Sequence, residues 1–170
     1  MSIIIEDGTG KSDAESFISV ETASAYFTAR GVTTWDALDE GEATVNREAA
    51  LRKATDYLTA VYRDRWEGVR YTETQALDWP RAGVVRDSWS VDTDEIPVEV
   101  QNATAILALK GASDPLLEDT TQRVKREKVG VIEVEYSDYS LATKKYTQID
   151  KMLRPFLNGV AGCNVPLVRA

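Results

Sequence analysis

The chain has 170 residues, 43% of them apolar, with 28 acidic and 20 basic side chains and a net charge of −8, which is the make-up of one ordinary domain. It contains no histidine and only one cysteine, Cys163, which excludes Ser-His and Cys-His nucleophile pairs, His-ligated or multi-cysteine zinc, and an intrachain disulfide. So acidic a chain suits phosphate backbones poorly, since affinity for them comes from clustered Lys and Arg; the arithmetic leans toward a structural or assembly part, without cofactor or metal, in a reducing compartment.

Met1 to Ile5 runs straight into Glu6 and Asp7, so it lacks the basic start and long apolar stretch of an export signal. No uncharged apolar run approaches the roughly 18 residues of a membrane span, and no membrane role is expected. Residues 1–18 read as an N-terminal arm, with Ser2 to Ile5 as a short strand broken by the turn residues Asp7-Gly8-Thr9-Gly10. Ser19 is a good N-cap for a first helix through Tyr26 and Phe27, stopping at Arg30-Gly31. Val32 to Glu42 reads as a loop anchored by Trp35. Ala50, Ala54, Tyr57, Leu58, Val61 and Tyr62 then recur by threes and fours, predicting an amphipathic helix from about Thr44 to Arg65.

Gly68 to Asp92 has no sustained period. Irregular stretches longer than roughly 15 residues usually serve function or contact a partner. Asp94 is the expected N-cap of a third helix, with Pro97 in its first turn, Val100, Ala103, Ile106 and Leu107 buried, and Lys110-Gly111 at its end before Asp114-Pro115. Val124 to Tyr136 alternates as a β-hairpin, its first arm carrying Arg123, Lys125, Arg126 and Lys128 and its second Glu133 and Glu135. Such an edge invites another chain. A last helix spans Thr147 to Leu157, followed by a mostly apolar tail, 158–170. The expected fold is one mainly α domain, a four-helix bundle-like core over 19–157 with one projecting hairpin at 124–136 and extended N- and C-terminal arms.

Gly8-Thr9-Gly10-Lys11-Ser12 ends like a phosphate-binding P-loop, but the glycine required five positions before Gly10 is replaced by Ile5. A polar turn is the simpler reading. Asp92, Asp94 and Glu95 are better explained by capping than by a cation, and Asp36, Asp39, Glu40 and Glu42 by a solvated loop. Trp35, Trp66, Trp79 and Trp89 suit core and interface packing, because the arginines near them are interrupted by Asp64, Glu67, Asp78 and Asp87.

Four strings together resemble a family of tailed-bacteriophage proteins often labelled DnaT-like single-stranded-DNA-binding proteins: Val20 to Phe27 with Ala29-Arg30-Gly31, Ala49 to Leu58, Gln75 to Arg81, and Val124 to Gly130 with Glu133 to Tyr136. The pattern of helices with one hairpin also resembles head-tail connector (adaptor) proteins of long-tailed phages. That resemblance implies a homo-oligomeric ring, commonly of twelve copies, in the virion neck, assembled in the host cytoplasm. Its partners would be the portal protein, a tail-side neck protein (stopper or tail terminator) and itself, with DNA passing through the lumen without specific binding. The alternative is a single-stranded-DNA-binding replication protein. Residues 1–50 carry ten acidic and three basic side chains, and an acidic lumen would repel passing phosphate. The candidate subunit or partner contacts are Trp79 and Arg81; Lys125, Arg126, Lys128, Glu133, Glu135 and Tyr136 of the hairpin; and Val165, Leu167, Val168 and Arg169 of the tail. No residue is assigned to catalysis.

Overall fold

The structure, a computed structural model, describes residues 2–39, 46–117, 126–129, 132–135 and 144–158. Its four α-helices are α1 (Val20–Thr28), α2 (Arg47–Tyr62), α3 (Val98–Ser113) and α4 (Thr147–Leu153), the last prolonged by a 3₁₀ turn, Arg154–Phe156. Three antiparallel ladders of two strands each accompany them: β1 (Val69–Arg70) with β2 (Arg81–Ala82), β3 (Val85–Arg86) with β4 (Trp89–Ser90), and β5 (Arg126–Val129) with β6 (Ile132–Glu135).

Ser19 caps α1 as expected, its hydroxyl accepting from the Thr22 amide at 3.1 Å. In α2 the buried positions Ala50, Leu51, Ala54, Tyr57, Leu58 and Tyr62 form one stripe. That stripe packs mainly against α3. Helix α3 is different in kind, because Val100, Ala103, Thr104, Ala105, Ile106, Leu107 and Ala108 are all buried. Residues 103–108 are buried in unbroken succession, so every side of the helix's middle is covered, as in the centre of a core, and α1, α2 and α4 all touch it. Trp35 is fully buried, its ring 5.1 Å from that of Phe27 and its indole N–H on the Ser24 hydroxyl at 2.9 Å.

The expected four-helix bundle-like architecture does not form. Only α2 and α3 are long, at 16 residues each, while α1 has 9 and α4 has 7. The stretch between α2 and α3, expected to be irregular, builds two further ladders, with Gly68 and Gly83 at positive φ, a conformation no helix accommodates. The N-terminal segment is not an extended arm either. Ile5 bridges Ser16, the Glu6 amide donates to the Ser16 carbonyl at 2.9 Å, and Arg52 of α2 grips the Glu15 carboxylate with two N–H groups at 3.0 and 2.9 Å. Nor does Asp94 cap α3: Pro97 occupies that position and the helix starts at Val98. The proline's fixed φ orients the first turn, and the Asp94 carbonyl is instead met closely by Gly8. The tail 159–170 lies outside the described residues.

The P-loop-like string shows its purpose in the backbone. The Glu6 carboxylate, 3% exposed, accepts the amides of Gly8, Gly10 and Lys11 at 3.0, 2.9 and 2.8 Å. Amides that would otherwise cradle a phosphate are already satisfied by the chain's own acid.

Next to it, the Lys11 ammonium and then the Thr9 hydroxyl hold Asp7 down at about 2, and Arg52 holds Glu15 below the ordinary carboxylate range. Both native-state values lie below the unfolded ones, so between them the unfolded chain binds more protons and stability rises with pH. The contribution is present above pH ~4 and is lost as pH falls toward 2. Hydrogen exchange on acidification is expected to show the Thr9 amide losing protection before those of α3; simultaneous loss would contradict the assignment.

Candidate docking surface

The segment from Trp66 to Val91 is assembled around Arg81. This side chain is 6% exposed and donates to three backbone carbonyls, those of Glu67 (Nε, 2.8 Å), Asp78 (Nη1, 3.1 Å) and Gly68 (Nη2, 2.8 Å). Its planar fork matches several acceptors at fixed angles. Gln75, also buried, donates to the Leu77 and Pro80 carbonyls at 2.9 and 3.0 Å and accepts the Thr72 amide at 2.7 Å. Trp79 is fully buried and stands edge-to-face on Trp66 and on Phe156, each centroid 5.7 Å away. Asp78 is buried nearby; burial pushes its carboxyl up, and the guanidinium groups of Arg63, Arg81 and Arg70 pull it back.

This platform carries the β3–β4 hairpin. Val85 pairs with Ser90 and Arg86 with Trp89, and the two turn residues Asp87 and Ser88 both have positive φ, 50° and 71°. Two successive left-handed residues make the tight turn whose twist suits paired strands, here without a glycine. The turn presents Trp89 to solvent, 79% exposed. Beside it lies a cleft of about 340 Å³, lined by Phe156, Trp89, Pro97 and Val98 together with Arg86, which is bonded to Glu99. Asp87, Asp92 and Glu95 stand exposed at its edge. An exposed aromatic among apolar and polar groups of this kind has the composition of a protein interface.

Of the residues singled out from sequence, Trp79 and Arg81 lie inside the domain and act by shaping what it presents. In the β5–β6 ladder Arg126 stands opposite Glu135 and Lys128 opposite Glu133, the register expected for opposite charges. Lys125, Tyr136, Val165, Leu167, Val168 and Arg169 fall outside the described residues. Sequence reasoning grouped Trp89 with the other tryptophans and so missed it; its signal was the run Arg86-Asp-Ser-Trp-Ser, one aromatic set among charged and turn-forming residues. Among the described residues no group of three His, Cys, Asp or Glu could hold a metal ion, and no helix is long and apolar enough to cross a membrane.

Across residues 1–170 the chain matches the family model described as "Putative DnaT-like ssDNA binding protein". No curated protein and no solved structure matches it.

Proposed function

The chain belongs to this DnaT-like family, and from there we propose that it works by docking to protein, as a head-tail connector subunit that forms a ring between the portal and the next neck component of a phage virion. The observation that carries this reading is Trp89, displayed at 79% exposure on a tight hairpin beside a cleft that mixes Phe156, Pro97 and Val98 with charged side chains. Its neighbours at the cleft edge are the carboxylates of Asp87, Asp92 and Glu95. They would repel a phosphate backbone, so base stacking on this tryptophan is disfavoured. A protein surface has no such conflict.

The family's description names single-stranded DNA and so favours a second reading. A surface that could serve it lies beside β1, where Tyr71, 46% exposed, follows Arg70, with Arg63 and Arg65 half-exposed in the 3₁₀ turn after α2. Two of these cations already face carboxylates, Arg63 with Asp78 at 3.6 Å and Arg65 with Asp150 at 3.8 Å, which reduces what they offer to phosphate.

Two measurements separate the readings. Chemical cross-linking of purified virions is expected to join this chain to the portal protein. Anisotropy of a labelled oligonucleotide at low salt is expected to show no binding at micromolar protein. Virions lacking the chain, or tight binding whose constant falls steeply with added salt, would overturn the connector in favour of a single-strand binder.

A further inference from the structure

Resting on the assembly reading, we propose that the Trp89 cleft is filled by the C-terminal segment, residues 159–170, of a second copy of the chain. The first argument is chemical fit. The cleft is lined by the apolar Phe156, Pro97, Val98 and Trp89 and by the carboxylates of Asp87, Asp92 and Glu95, while its one cation among the described residues, Arg86, is taken up by Glu99. Residues 159–170 read Gly-Val-Ala-Gly-Cys-Asn-Val-Pro-Leu-Val-Arg-Ala: apolar side chains, one cation at Arg169 and no Asp or Glu. Val165, Leu167 and Val168 suit the apolar lining, and Arg169 suits the carboxylates. An acidic segment would be repelled there, and the other carboxylate-free stretches of this length, residues 22–35 and 100–113, are built into the domain around α1 and α3.

The second argument is reach. The described chain leaves the domain at Asn158, whose amide bonds the Arg65 carbonyl at 2.7 Å, two residues beyond Phe156. Twelve residues follow. Extended, they span roughly 40 Å, about the diameter of a small domain, so a tail rooted beside one cleft can cross to the cleft of a neighbour. Such a contact joins two different surfaces and repeats head to tail. Repeated contacts of this kind close into a ring when the rotation between copies allows.

The test is sedimentation of the full-length chain and two full-length variants, Trp89→Ala in the cleft and Leu167→Asp in the tail, each checked by circular dichroism for an unchanged fold. The wild-type chain is expected to associate with rising concentration, and each variant to weaken association by at least about tenfold, as loss of a central aromatic or aliphatic anchor does. Mixed together, the variants are expected to recover one-to-one pairs, because one retains the tail and the other the cleft. If both variants associate as well as wild type, or if the mixture fails to pair, the cleft-and-tail contact is overturned while the ring stands. A wild-type chain still monomeric at roughly 0.5 mM, where even a millimolar contact would register, overturns the self-contact; the connector reading is judged separately by the virion cross-links.

Discussion

Gly8→Ala is expected to lower stability by about 4 kcal/mol or more, at the extreme of what single substitutions do, or to prevent folding. The cause is geometric. A Cβ built on Gly8 would stand 1.7 Å from the Asp94 carbonyl oxygen and 2.7 Å from its carbon, and the residue's φ is +99°. The obstacle is backbone, and neither side can yield cheaply. Gly8 is held by its amide on the buried Glu6 carboxylate, while Asp94 lies just before Pro97 and the start of the central helix. Gly83 supplies the control: its φ is +76°, yet nothing lies within 4 Å of an added Cβ. Gly83→Ala should therefore cost only the left-handed backbone penalty, about 1–2 kcal/mol. Urea unfolding followed by circular dichroism measures both, and equal costs would show that the approach to Asp94 is not what Gly8 is for.

Arg81→Lys is expected to cost roughly 3–5 kcal/mol, although it conserves charge. Arg81 serves the carbonyls of Glu67, Gly68 and Asp78 at once; a lysine ammonium is a compact donor without the fork and reaches one of them at best. Each buried carbonyl left without a partner costs about 1–3 kcal/mol, and two would be orphaned. Arg81 is also one of the three cations that offset the burial of Asp78. The same unfolding experiment reads the outcome, and a loss below about 1 kcal/mol, the size of a single ordinary hydrogen bond, would mean that Arg81 does not organise the segment. Trp89→Ala should meanwhile leave stability nearly unchanged, within about 0.5 kcal/mol, as exposed substitutions do.

These two positions mark where the sequence was readable and where it was not. Ser19, the three-and-four spacing of α2 and the alternation around Ile132 and Val134 are local signals, and each corresponds to an element where it was expected. Between Trp66 and Val91 the strands are two residues long, too short to show a period of two. What shapes that segment is long-range: a guanidinium reaching back 13 and 14 residues, and an indole seated on Phe156. Asp94 misled because a good capping residue near a proline resembles a helix start, and only the approach of Gly8 reveals its other duty. The bundle expectation failed for the same reason, since residues without a helical period were assumed to be loop. Trp89 was legible as an aromatic, but its exposure was not, because burial depends on the hairpin that carries it.

The central position of α3 also bears on how the chain is made. Helices α1 and α2 are complete by residue 62, yet the apolar faces they must cover lie largely on α3, which ends at Ser113. Isolated helices of 9 and 16 residues are marginal in water. During synthesis the first two-thirds of the chain must therefore wait, loosely collapsed, until α3 has cleared the ribosome, and the N-terminal half cannot fold in advance of it. A nascent chain arrested before α3 emerges should remain sensitive to protease, and the transition to resistance should come as one step rather than helix by helix.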